Sequence, residues 1–319
     1  MPDDDHTPGP ADHRGAQLRH TDPLVRLEAA ESLARAGDTR GIGALLSILA
    51  SEEDRDLWVD AIAVLDVLPP EAVTGPLLDA LGGAGTGPAA AYALARLNPE
   101  ALLAVLLEED DLPRRRLATQ GLAHGATDAM IPDLLHLLVA EPNLFIRALI
   151  PEVLEHLPTP AVIAALTAAM ADPQQDITVR ENCAWTLGDM HAEEAAGPLA
   201  DALTDDHADL RASAVYALGQ VGDAEAVELV LAAVDDEDEG VRYYAVDAAA
   251  RLMERGVVEG SLIMPVLVEV IEDVMGRPTV RLLDHMAARR AARTLESLDL
   301  PRGLAAAQAW RFFEQAARE

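Results

Sequence analysis

The chain has 319 residues, with 24 basic against 55 acidic side chains for a formal charge of −31, and it is 50% apolar with only 3% aromatic residues and one cysteine. Every basic residue is an arginine, so the chain holds neither a Schiff-base lysine nor a phosphate-loop lysine, and one cysteine makes no internal disulfide and no cysteine-rich metal site. So negative a surface also argues against general affinity for nucleic-acid backbones or anionic membranes.

Residues 1–16 are acidic and proline-rich where a secretory leader would be basic and then apolar, and an unstructured tail is expected there. His6, His13 and His20 recur every seven residues among Asp3, Asp4, Asp5 and Asp12, in a stretch too rich in Pro and Gly to preorganise metal ligands. Asp, Glu or Arg interrupts every apolar run well short of the roughly 18 residues of a membrane span, so a cytoplasmic protein is expected. Asp outnumbers Glu and Arg replaces Lys throughout, a pattern of salt-adapted proteins that a GC-rich genome also produces. Multi-molar salt shortens the Debye length to a few ångströms and makes such self-repulsion tolerable.

From residue 17 onward apolar residues fall at i, i+3, i+4 and i+7, the stripe of amphipathic helices, and no strand pattern appears. Val25-Arg26-Leu27-Glu28-Ala29-Ala30 opens a pattern that returns at Phe145-Ile146-Arg147, Val179-Arg180, Leu210-Arg211 and Val241-Arg242. Arg180, Arg211 and Arg242 stand 31 apart, and Arg115 lies 32 before Arg147. Segments from Leu57 and Pro88 keep the apolar spacing without the arginine, and Val280-Arg281-Leu282 reads as one more copy. The glycine-rich loop Gly82 to Pro88 follows a helix and lacks Lys-Ser or Lys-Thr, so it reads as a connection, with a hinge expected there, and not as a phosphate loop.

Each unit supplies two antiparallel helices. A pair of about 31 residues cannot bury its own apolar face, so the units must stack. The predicted fold is all-α, an α-α superhelix of about eight to nine antiparallel helix pairs over residues 17–300, closed by a capping helix over 301–319.

The repeated VR…A…LG units resemble the HEAT-like repeat of the phycobilisome lyase type. That class includes chromophore lyase subunits, a di-iron hydroxylase, assembly factors and adaptors, so the resemblance implies a solenoid and several alternative roles. The hydroxylase branch, deoxyhypusine hydroxylase, carries His-Glu dyads, and none of the nine histidines here precedes a glutamate. DNA glycosylases built from such repeats use a basic concave face, which this charge opposes. Cys183, in Asn-Cys-Ala-Trp, sits at a core position and reads as a small buried hydrophobe, not a lyase thiol.

The arginine column Arg26, Arg147, Arg180, Arg211 and Arg242 is expected to be structural. Asp22, Asn143, Asp176, His207 and Asp238 stand four residues before these arginines, at helix-capping positions from which an acid can pair with an Arg one turn on or in the adjacent repeat. Trp185 and Tyr216 share a column five residues past the arginine, with Asp247 next in register. Together with Tyr243 and Tyr244 they are candidates for a partner-contact surface, or else for packing between alanine-rich helices. The acidic runs Glu52-Glu53-Asp54 and Asp235 to Glu239 lack calcium-loop spacing and read as solvated loops.

From Arg277 onward eight arginines face five acids, and Trp310, Phe312 and Phe313 suit a helix that covers the open apolar end, or alternatively docks a partner. The leading expectation is a non-catalytic interaction scaffold that holds a protein partner on its concave face, with no cofactor, metal or small-molecule substrate. The alternative is an enzyme or enzyme subunit of the lyase or hydroxylase type.

Overall fold

The structure, a computed structural model, describes residues 10–316 apart from Glu52, Ala84, Pro278 and Asp299, with side chains from Arg14 onward. His6 and the side chains of Asp12 and His13 therefore lie outside the described residues, as do Asp3, Asp4 and Asp5. Helices fill most of the rest, and no strand occurs among the described residues.

The chain divides into two compact units, Met1–Met130 and Ile131–Glu319. The first contains α1 (Pro10–Gln17), α2 (Pro23–Ala34), α3 (Ile42–Leu49), α4 (Trp58–Leu65), α5 (Pro70–Leu81), α6 (Gly87–Leu97), α7 (Pro99–Glu108) and α8 (Leu112–Leu122). The second contains α9 (Ile131–Ala140), α10 (Leu144–Leu154), α11 (Pro160–Ala171), α12 (Ile177–Asp189), α13 (Ala196–Ala202), α14 (Ala208–Val221), α15 (Ala224–Ala232), α16 (Glu239–Glu254), α17 (Gly260–Gly276), α18 (Leu282–Ser297) and α19 (Pro301–Ala316). Consecutive helices pair through short connections, giving nine pairs among the described residues and a final single helix: an all-α solenoid.

Two expectations about the chain's divisions are revised. Helix α1 begins at Pro10, inside the stretch expected as a tail. The boundary between units falls after Met130, not at the glycine-rich connection, where the Thr86 hydroxyl donates to the Ala80 carbonyl at 2.5 Å and the flanking α5 and α6 pack together within the first unit.

Local chemistry starts the helices where they start. Asp22, Asn98, Asp111, Asn143, Thr159, Asp176, Asp223 and Asp238 each accept a backbone N–H from the first turn of the helix that follows. A cap of this kind is worth about 1 kcal/mol. Proline stands in the first turn of α2, α5, α6, α7, α8 and α11, where its missing N–H has no partner to lose.

Within the second unit the even-numbered helices form a continuous layer, α10 on α12, α12 on α14, α14 on α16 and α16 on α18; the odd-numbered helices form the other layer. Small residues let the even helices come close. A Cβ added at Gly188 would lie 2.8 Å from the Ala217 Cα, and one added at Gly219 would lie 2.8 Å from the Ala248 Cα. These glycines are 31 apart and explain the Leu-Gly that closes the repeat pattern. Gly219→Ala should destabilise the second unit by about 1–3 kcal/mol through overpacking. Gly197→Ala, which meets nothing within 4 Å, serves as the harmless control in a urea titration.

Helix α19 packs on α17 and α18. Trp310 is buried, 5.0 Å from the His285 ring and 5.3 Å from Phe313, whereas Phe312, grouped with them by sequence, is 73% exposed. No single described helix is long and apolar enough to cross a membrane; α6 and α7 reach that length only as a pair bent by 120°.

Candidate functional site: an arginine ladder and an aromatic face

The arginine column uses a construction that recurs from repeat to repeat. Four of its guanidinium groups turn back to the carbonyl six residues earlier: Arg26 Nη1 donates to His20 O at 3.0 Å, Arg147 to Glu141 O at 2.6 Å, Arg211 to Asp205 O at 2.9 Å and Arg242 to Asp236 O at 2.7 Å. The residue at that position also braces the cap two residues on, since Glu141, Asp205 and Asp236 accept the backbone N–H of Asn143, His207 and Asp238. Arg180 departs from this, placing Nε on Met170 O at 2.8 Å.

The ion pairs run forward, into the next repeat. Arg180 reaches Asp205 at 2.7 Å, Arg211 reaches Asp236 at 2.8 Å and Arg242 reaches Asp284 at 2.7 Å; in the first unit Arg26 approaches Asp54 at 3.5 Å. The cap four residues before the arginine is thus not its ionic partner. The acid two residues before the next cap is, at both Asp205 and Asp236. His207 occupies a cap position without a side-chain cap bond.

The second-unit pairs are sheltered, with Arg180 and Arg211 among the few buried charged residues. Burial pushes the Asp205 carboxyl up, but the His207 N–H and the Arg180 guanidinium outweigh it and bring the group down to about 2. Asp236 balances the same way, burial against the Arg211 fork and the Asp238 N–H, and ends below the ordinary carboxylate range.

The copy expected at Val280-Arg281-Leu282 does not extend the ladder. Arg281 is exposed at the start of α18, and the buried Asp284 instead receives Arg242 and, at 2.7 Å, Arg277. The longer connection between these repeats changes which arginine faces the acid.

On the even-numbered helices of the second unit, the four aromatic residues singled out by sequence come together. Trp185 on α12 and Tyr216 on α14 have ring centroids 4.0 Å apart; Tyr244 on α16 lies 5.1 Å from Trp185, 6.0 Å from Tyr216 and 5.0 Å from Tyr243. All four are half-buried, so the cluster both packs and presents ring surface. The Tyr216 hydroxyl donates to Asp189 at 2.7 Å and accepts from Gln220 at 3.2 Å. The Arg251 guanidinium stands 5.7 Å above the Tyr216 ring, with Nε on Asp247 at 2.6 Å, and Arg290 binds the other Asp247 oxygen at 2.8 Å.

Sequence reading missed Glu181 and Asp209. Glu181 lies one turn before Trp185, whose indole favours its ionised form, yet burial and the neighbouring Asp209 carboxylate outweigh that effect and push the Glu181 carboxyl up. No cation pairs with either acid among the described residues. Tyr244 is also raised, first by burial and then by Tyr243, Asp247 and Glu181, which marks the rings as lying in a negative field. The i, i+4 spacing of Glu181 and Trp185 was the available signal. Cys183, on the opposite side of α12, is buried, and burial drives its thiol far up.

These features define a helix-pair repeat protein whose successive repeats are joined by forward ion pairs and whose even-numbered helices in the second unit carry an aromatic face. Known sequence families make this specific: the HEAT repeats match residues 131–218, 174–250 and 198–288, and the PBS lyase HEAT-like repeat matches residues 25–51. The chain belongs to the HEAT-repeat proteins. No protein of curated function matches it. Among solved structures it is similar to YibA of Escherichia coli, with 14% identity over 82% of this chain and 97% of that one and a TM-score of 0.50. Human deoxyhypusine hydroxylase matches at 21% identity over 67% and 85% of the two chains (TM-score 0.35). The CpcE–CpcF complex of the phycocyanin lyase of Nostoc matches at 19% over 93% and 98% (TM-score 0.34).

Proposed function

We propose that this protein is a non-catalytic scaffold or adaptor that holds a protein partner on the face formed by the even-numbered helices of its second unit. The observation that carries this reading is the aromatic cluster of Trp185, Tyr216, Tyr243 and Tyr244. In a chain with 3% aromatic residues, four are gathered on adjacent helices and left half-exposed, and aromatic side chains dominate the energetics of protein interfaces. The ladder lies at the starts of the same helices and holds them in register, so the rings are presented on a rigid support.

The test is to cross-link the full-length protein in extract of its own organism, identify the attached protein, and reconstitute the pair from purified components. Substituting Trp185→Ala and Tyr216→Ala together should weaken the reconstituted pair by about ten-fold or more. An unchanged affinity, with the fold intact by circular dichroism, overturns the reading.

A further inference from the structure

The aromatic face has two halves, and only one of them is electrically complete. At Tyr216 the chain supplies its own cation: Arg251 stacks over the ring and is held there by Asp247. Moving back one repeat of 31 residues, Trp185 takes the place of Tyr216, and Gln220 takes the place of Arg251. Gln220 is uncharged and is engaged with the Tyr216 hydroxyl. Trp185 therefore has aromatic neighbours in Tyr216 and Tyr244 and a carboxylate in Glu181, with Asp209 close by, but no arginine over its ring among the described residues.

We propose that Glu181, Trp185 and Tyr244, flanked by Tyr243 and Asp209, form a receptor for one arginine side chain of a basic segment on the partner. This rests on the scaffold reading above and names the chemistry the partner brings. A guanidinium suits the place better than an ammonium because it can lie over a ring while an edge N–H bonds a carboxylate, as Arg251 does with Tyr216 and Asp247. The charge is complementary on two scales. A cation would relieve the repulsion between Glu181 and Asp209 and favour the ionised form of Glu181, and a basic segment approaches a protein of net charge −31 favourably. By repeat register the small, buried Ala212 stands on α14 between Glu181 and Tyr243.

The experiment is fluorescence anisotropy of a labelled Gly-Arg repeat peptide with the full-length protein in 0.15 M salt, alongside the Gly-Lys and Gly-Gln peptides. The Arg peptide should bind several-fold more tightly than the Lys peptide, and the Gln peptide should show no saturable binding. Glu181→Gln and Tyr244→Leu should each weaken the Arg peptide by about five-fold or more. Glu228→Gln, which removes an equal charge from exposed surface on α15, should change it by less than about two-fold. A second measurement needs no altered receptor: the Trp185 indole N–H resonance should shift on adding the Arg peptide and stay put with the Gln peptide.

Equal losses for Glu228→Gln and Glu181→Gln, or an unmoved Trp185 resonance, overturn the receptor and leave only diffuse attraction to an acidic surface. If the reconstituted partner still depends on Trp185 and Tyr216 in that case, the scaffold reading stands without the arginine. If neither the peptide nor the partner depends on the aromatic residues, both fall.

Discussion

Arg211→Ala should lower the melting temperature of the second unit by about 6–12 °C, corresponding to about 3 kcal/mol in a domain of this size. The magnitude follows from what is left behind. The substitution removes both arms of the fork to Asp236, at 2.9 and 2.8 Å, and the bonds to the carbonyls of Asp205 and Asp206, stranding a sheltered carboxylate without its counter-charge. Arg211 is itself held charged by Asp236, so the loss is of a matched pair and not of surface decoration. Arg211→Lys should recover part of the loss, since an ammonium cannot reach the fork and the carbonyls together. Arg281→Ala, at an exposed arginine outside the ladder, should leave the melting curve where it is. Pairing Arg211→Ala with Asp236→Ala in a double-mutant cycle should show strong coupling, and additivity would mean that the rung contributes little.

The second large effect is expected at the C-terminus. Trp310→Ala should cost about 3–5 kcal/mol, because it empties a fully buried site between His285 and Phe313. Deleting residues 301–319 should go further, exposing the faces of α17 and α18 that α19 covers and promoting aggregation. A helix serving only to dock a partner would be removed with no change in the melting curve. Phe312→Ala distinguishes the buried from the exposed aromatic of this helix and should be silent for stability.

Much of this architecture is legible in the sequence because helices are specified locally. Capping residues and first-turn prolines act within a few positions of where they stand, and the 31-residue period makes the same local pattern, the arginine column included, visible again and again. The acceptors are not visible. Asp205 and Asp236 lie in runs of acids any of which could be the partner, and only the stacking of repeats selects the one 25 positions ahead of its arginine. Asp284 is harder still, since a longer connection moves it 42 positions from Arg242 and leaves Arg281 outside. The shared column of Trp185 and Tyr216 was readable, but the approach of Tyr244 comes from the neighbouring helix and is set by packing. The division after Met130 has no compositional mark, unlike the glycine-rich connection that drew attention instead.

The forward direction of the rungs bears on how an array like this changes in length. Every repeat with the full construction carries two complementary halves, an acid for the arginine behind it and an arginine for the acid ahead. Copying such a repeat whole inserts one new bond and orphans none, and excising it whole rejoins the neighbours across the same chemistry. Length is thus editable in whole repeats, while a cut inside a repeat strands a charge on each side of the break.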